Sequence, residues 1–360
     1  VRRRGGFVVA AGAVGFALPL WGCNQVLGIH ATVAEDWDGS VVARSPGSGE
    51  TSPGGGESMN AGSGSDSSVP PPADAGAVAA WANWPVPNPS NTQLPNPQAY
   101  DTSVSGILLD KVTQLQWEAS VDGVARTWND AVAYCASLSD SNGGWRLPSR
   151  MELASIVDYA ALPVGLAPAS FGMLSPQADA SMYAYRFWSS SLKAGDETQA
   201  WAIDFDTAMA VVLIVPDLLT APYLVRCVRG GSPDMPANRY TFPSSGVVTD
   251  TKTGLSWAQS ASDTEMTEPA AVMYCGSLST AGGGWRLPSL GELQSIVDES
   301  RSDPALDATA FPGAPSTDYY WSQSGYAPFD GFGWMVSFLY GLTSVSNQGL
   351  QVGWVRCVRP

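Results

Sequence analysis

The string GGWRLPSRMELASIVD begins at Gly143 and returns as GGWRLPSLGELQSIVD at Gly283, with thirteen of sixteen positions identical at an offset of 140 residues. The match extends well beyond the string. Asp110, Trp117, Tyr134, Cys135, Trp145, Glu152, Asp158 and Phe171 return as Asp250, Trp257, Tyr274, Cys275, Trp285, Glu292, Asp298 and Phe311. The offset then falls to 133, where Trp188, Trp201 and Phe205 return as Trp321, Trp334 and Phe338. It ends at 130, where VRCVR at Val225 returns at Val355. Copy one therefore carries about seven extra residues before its Trp-Ser pair and three more before its last Cys, as surface loops do. Two units of this length are tandem domains rather than a solenoid, whose repeats are much shorter.

Each copy carries two helix signals. Thr127 is a good N-cap for a segment with Trp128, Ala131, Val132, Cys135 and Leu138 at helical spacing, and Thr267 holds the same place in copy two, with Pro269 tolerated in the first turn. Ser149 with Glu152, and Ser289 with Glu292, fit a capping box opening a second helix. GILLD, TQLQW, FWSSSL, AWAIDF and YLVRCVR read as short strands. Helices early and strands late predict an α+β class. GGWRLPS then reads as a corner: Gly143 and Gly144 turn, Trp145 and Leu147 plug the core, and Arg146 takes a partner such as Asp110 or Asp158.

The chain has five cysteines. Setting Cys23 aside leaves two per copy, which in an exported protein pair as Cys135–Cys227 and Cys275–Cys357. Metal binding fails as a rival, because no short Cys pair exists and the single His is His30.

Residues 1–22 read as a lipoprotein signal peptide. Arg2 to Arg4 form a basic start, and Phe7–Leu20 is an apolar run too short to span a bilayer. Leu20-Trp21-Gly22-Cys23 resembles a lipobox, although Trp21 stands where a small residue is usual; this reading is preferred to an ordinary signal peptide, and it makes Cys23 the lipidated residue. Residues 23–100, rich in Gly, Ser and Pro, read as a disordered tether. The copies follow at 101–231 and 238–360. Removing residues 1–22 leaves 15 basic residues against 33 acidic ones, a balance of −18. Such a surface repels phosphate backbones and sulfated polysaccharides, so nucleic acid is not an expected partner.

The ordered pattern W…YC…GGWRLPS…EL…W-S…W…F…VRCVR, present twice, resembles the family named for the C-terminal domain of Lcl, a bacterial collagen-like adhesin. TWNDAVAYCASL is similar to the first helix of C-type lectins, and WRLPSRMEL to the RLPTEAEW corner of formylglycine-generating enzymes. The resemblance implies two tandem C-type-lectin-like domains, each with two helices and a small curled antiparallel sheet, and it supports the same disulfides.

Calcium-lectin chemistry is not expected. Trp128-Asn129-Asp130 spells a lectin motif but opens the first helix, and copy two has Glu268-Pro269-Ala270 there. No His in either copy could act as a general base, and no nucleophile elbow or P-loop occurs, so no catalytic residue and no cofactor are assigned. The recurring Trp145, Trp188 and Trp201 read as core. Tyr183 and Tyr185 in copy one, and Tyr319, Tyr326, Phe329 and Phe332 in copy two, do not recur and are the candidate ligand-binding residues. The expectation is a lipid-anchored protein of the bacterial cell envelope, contacting a glycan or an envelope or host protein. The alternatives are an enzyme on a formylglycine-generating-like scaffold or a structural protein that binds nothing. Cys23→Ser should abolish membrane partitioning of the expressed protein; unchanged partitioning would sink the anchor.

Overall fold

The chain is described by a computed structural model covering residues 82–138, 143–159, 165–166, 171, 186–205, 213–231 and 239–360. Cys23, Tyr183 and Tyr185 lie outside the described residues, as does most of the expected tether. Among the described residues, no helix is long and apolar enough to cross a membrane.

Copy one runs β1 (Tyr100–Asp101), β2 (Ile107–Asp110), β3 (Gln116–Glu118), α1 (Trp128–Ser137), α2 (Arg150–Ser155), β4 (Val157–Asp158), β5 (Gly165–Leu166), β6 (Arg186–Lys193), β7 (Asp196–Asp204), β8 (Leu213–Leu218) and β9 (Val228–Arg229). Copy two repeats the plan as β10 (Tyr240–Ser244), β11 (Val247–Asp250), β12 (Ser256–Ala258), α3 (Glu268–Ser277), α4 (Leu290–Ser295), β13 (Tyr319–Gly325), β14 (Phe332–Ser337), β15 (Leu342–Asn347) and β16 (Val358–Arg359). Each copy has a four-stranded antiparallel sheet that recruits its last strand from the end of that copy, β1-β2-β3-β9 and β10-β11-β12-β16, and a three-stranded meander, β6-β7-β8 and β13-β14-β15. The class is α+β with small antiparallel sheets, as the pattern predicts.

The disulfides Cys135–Cys227 and Cys275–Cys357 tie the first helix of each copy to its closing strand, across 92 and 82 residues. Loops of that size are worth about 4–5 kcal/mol in the chain-entropy account. The rest of VRCVR is also structural. Arg226 is buried and donates to the Glu118 and Ala119 carbonyls, while burial pushes its pKa down to about 10. Arg356 does the same to Ala258 and Gln259. The second arginines, Arg229 and Arg359, lie 4.7 and 4.6 Å over the rings of Trp145 and Trp285.

Both capping boxes form, and Thr127 caps α1. Thr267 differs: its side chain makes no cap bond, and the Asp130 that hydrogen-bonds Thr127 is replaced by Ala270. Arg146 also departs from expectation. Its partner is neither Asp110 nor Asp158 but the capping-box glutamate, with Nη1 and Nη2 each 2.6 Å from Glu152. Arg286 and Glu292 repeat the fork at 2.7 and 2.6 Å. One carboxylate thus closes the helix box and holds the corner, and this bidentate geometry is the strong form of the interaction. Asp110 instead accepts from the Val112 and Thr113 N–H groups of a turn. In copy two Asp250 does so too and also pairs with buried Arg239, where copy one has Ala99.

Repeated core tryptophans behave as expected. Trp188, Trp201, Trp285, Trp321 and Trp334 are buried and Trp145 is half-buried.

The two copies are not beads on a string. All described residues belong to one compact unit, with α2 against α4 and the edge strands β8 and β15 facing each other. The three positions at which the opening string breaks, Arg150/Leu290, Met151/Gly291 and Ala154/Gln294, all lie at or beside this seam. Arg150 Nε donates to Glu299 of copy two at 3.1 Å, its Nη1 donates to the Tyr340 carbonyl at 2.9 Å, and its guanidinium stacks 4.1 Å over Trp201. Glu299 also accepts from the Met151 N–H and from the Ser191 hydroxyl. Both partners of the pair are buried, so burial lowers the Arg150 pKa and raises that of Glu299. A Cβ at Gly341 would fall 2.9 Å from Arg150 Nη2 and 2.5 Å from Val297, and its φ of 74° suits only glycine. The repeat partner of Glu299 is Tyr159, which crosses the seam the other way: its hydroxyl reaches Gln294 at 3.3 Å and its ring meets Trp334 edge-on at 5.4 Å.

Residues 82–100 correct the expected tether. Ala82, Trp84, Val86 and Asn88 are buried, Asn88 meets Pro97 in a β-bridge, and Tyr100 begins β1. The run Val86–Pro89 is buried without a break, so a Pro-rich composition that reads as linker here packs against the body.

Arg150→Met leaves Glu299 as an uncompensated buried charge and should cost about 3–5 kcal/mol. Arg150→Met with Glu299→Met should recover most of that loss in chemical denaturation. A single variant as stable as wild type would remove the pair from the account of the seam.

Candidate functional site

The hairpin joining β13 to β14 gathers three of the four candidate aromatics of copy two. Its turn is closed by backbone bonds from Tyr326 N to the Phe332 carbonyl at 2.7 Å and from Phe329 N to the Tyr326 carbonyl at 3.1 Å. The Tyr326 and Phe329 rings lie 5.9 Å apart, and those of Phe329 and Phe332 6.2 Å apart. Tyr326 is buried, Phe332 half-buried, and Phe329 46 % exposed. Burial raises the Tyr326 pKa, so its hydroxyl stays protonated at neutral pH.

Below the tip, Tyr326 meets Trp334 edge-on at 5.4 Å, and Trp334 meets Tyr159 of copy one. A continuous aromatic file therefore runs from the exposed Phe329 down to the seam. Edge-on and tilted pairs of this kind add about 0.5–1.5 kcal/mol each beyond burial, so the exposed ring is supported from below.

Copy one shows what the hairpin is without aromatics. By the repeat offset, Lys193 and Gln199 stand where copy two has Tyr326 and Phe332, and Lys193 Nζ donates to Gln199 Oε1 at 3.3 Å. Asp196 stands where Phe329 does and caps the turn through the Thr198 N–H and hydroxyl. The tips differ with the residues: copy one pairs out to Lys193 and Asp196 across a tight turn, whereas in copy two the strand pairing stops at Gly325 and Gly333 and the aromatics fill the longer tip.

Tyr319 does not join the group. It begins β13 on the half-buried side of the cluster around Cys275 and Cys357. Burial raises its pKa. Two residues that the sequence did not mark as part of a site, Tyr159 and Trp334, form the floor of the file. Trp334 recurs and so reads as core; Tyr159 was signalled only by its mismatch with Glu299 at the repeat offset.

No group of three or more His, Cys, Asp or Glu side chains that could hold a metal occurs among the described residues. All four cysteines there are bonded in disulfides. Among the described residues, the arrangement is that of a disulfide-pinned pair of α+β domains with an aromatic hairpin tip on copy two. The Lcl C-terminal domain family matches residues 106–229 and again 246–359, and the chain belongs to that family, with two copies in tandem. No curated protein is similar enough in sequence to add to that assignment.

Proposed function

We propose that the chain is a cell-envelope lipoprotein, anchored through Cys23, whose two C-type-lectin-like copies act as one non-enzymatic binding module for adhesion or envelope contact. The observation that carries this reading is the exposed Phe329, seated on Tyr326 and Phe332, with Trp334 behind Tyr326, where copy one has a polar hairpin. An exposed aromatic braced by buried ones is the usual form of a binding hot spot, since it offers large apolar area with little entropy left to lose. A sugar face or an apolar side chain fits such a tip. The net charge of −15 argues against sulfated or phosphate-rich polymers as ligands. An enzyme on a formylglycine-generating-like scaffold would need a reactive thiol, and the paired cysteines argue against one.

The test is binding of the soluble 82–360 fragment to panels of neutral glycans, peptidoglycan and envelope proteins, followed by Phe329→Ala. Losing its ring contacts to Tyr326 and Phe332 should cost about 1–3 kcal/mol, so folding of the variant is checked by chemical denaturation before its binding is read. The substitution should weaken the best ligand at least about tenfold. A ligand held equally by Phe329→Ala would place the site elsewhere, and flat responses to every panel would favour a structural role.

A further inference from the structure

Residues 82–98 form a strap that touches both copies. On the copy-two side Val86 lies 3.4 Å from where a Cβ of Gly291 would be, and Ser289 Oγ donates to Asn88 Oδ1 at 2.6 Å. On the copy-one side Gln98 Nε2 donates to the Val157 carbonyl at 3.0 Å. Ala82, Trp84 and the run Val86–Pro89 are buried against the body, while Pro85 is exposed.

The groove beneath is matched to this occupant. It is lined by Met151, Ala154 and Tyr159 from copy one and by Gly291, Gln294 and Ser324 from copy two, and none of its lining side chains is charged. The strap is uncharged over all seventeen residues from Ala82 to Gln98, in a chain of net charge −15. Beside the strap, only about 30 Å3 of solvent-sized space remains, room for a water or two. The seat is specific to one side of the seam. Copy two has Gly291 where copy one has Met151, whose side chain is itself buried. Gln294, at another broken position of the repeat, has a buried Nε2 without a hydrogen-bond partner among the described residues.

We propose that this groove is a binding site for extended, uncharged, Pro-rich peptide carrying a Trp, and that residues 82–98 are a latch occupying it from within the same chain. The strap is held mainly by inserted side chains and few hydrogen bonds, so it can leave while the disulfide-closed copies stay folded. Release opens the groove and removes a contact shared by the two copies. Anything that pulls on or binds the chain upstream of Ala82 therefore acts on the seam through this segment.

The test uses the full chain with Trp84→Ser and Val86→Ser, which weaken the strap and leave the groove intact. A fluorescent peptide of residues 82–98 should bind this variant at least about tenfold more tightly than wild type, whose groove is filled. Adding Gly291→Met should abolish that binding by filling the Val86 seat. Equal binding to all three proteins, or none to the strap variant, overturns the proposal. Hydrogen exchange on the wild-type chain decides the matter if the strap variant does not fold. Amides of the strap should open well before those of β7 and β14; strap and body exchanging together overturn the latch.

Discussion

The buried pair of Arg150 and Glu299 is the contact on which the arrangement of the two copies depends. Each member is removed from water, and each is held by further bonds: Arg150 to the Tyr340 carbonyl and Trp201, Glu299 to Met151 N and Ser191. Burial of two charges is not a cheap route to stability, and an apolar pair of similar size often does as well. What the pair supplies is register. The pair is met only when Glu299 lies against α2 with Gly341 passing beside the guanidinium, and a shift that kept either group buried without the other would leave an uncompensated charge.

That requirement explains how two domains of one fold form an unequal assembly. A duplicated domain begins with two equal surfaces, and two equal surfaces can stack in more than one way. Here the departures from the repeat fall where the copies meet. Leu290, Gly291 and Gln294 replace Arg150, Met151 and Ala154, and Glu299 replaces Tyr159. One side of the seam carries the ion pair; the other carries the Tyr159–Gln294 bond, the aromatic file and the strap. The exposed end of that file, Phe329, is thus braced by the same seam that joins the copies.

Much of each copy was legible from local pattern. Ser149 and Glu152 sit three apart before an apolar stripe, which is enough to fix a capped helix, and two cysteines per copy leave a single pairing within each. Thr267 misled because the cap depends on its neighbours, and Ala270 and Pro269 change them. The partner of Arg146 was missed because Glu152 already had a role in the box; nothing in a string shows that one carboxylate serves two donors. The seam was hidden for a different reason. Each copy satisfies its own pattern, so contacts between copies show only as mismatches in the repeat. The strap was hidden by its composition, which reads as linker until Trp84 and the run Val86–Pro89 are seen to be buried. Of the candidate site, Tyr326, Phe329 and Phe332 converge, Tyr319 does not, and Tyr183 and Tyr185 lie outside the described residues.

The central claim is that the tandem copies fold as one cooperative body with their seam inside it. Differential scanning calorimetry of the soluble 82–360 fragment, with both disulfides intact, tests this most directly. One transition with calorimetric and van't Hoff enthalpies in a ratio near about 1 is the expected result. Two resolved transitions, each with the enthalpy of a single copy, would contradict it and return the chain to two domains that merely touch.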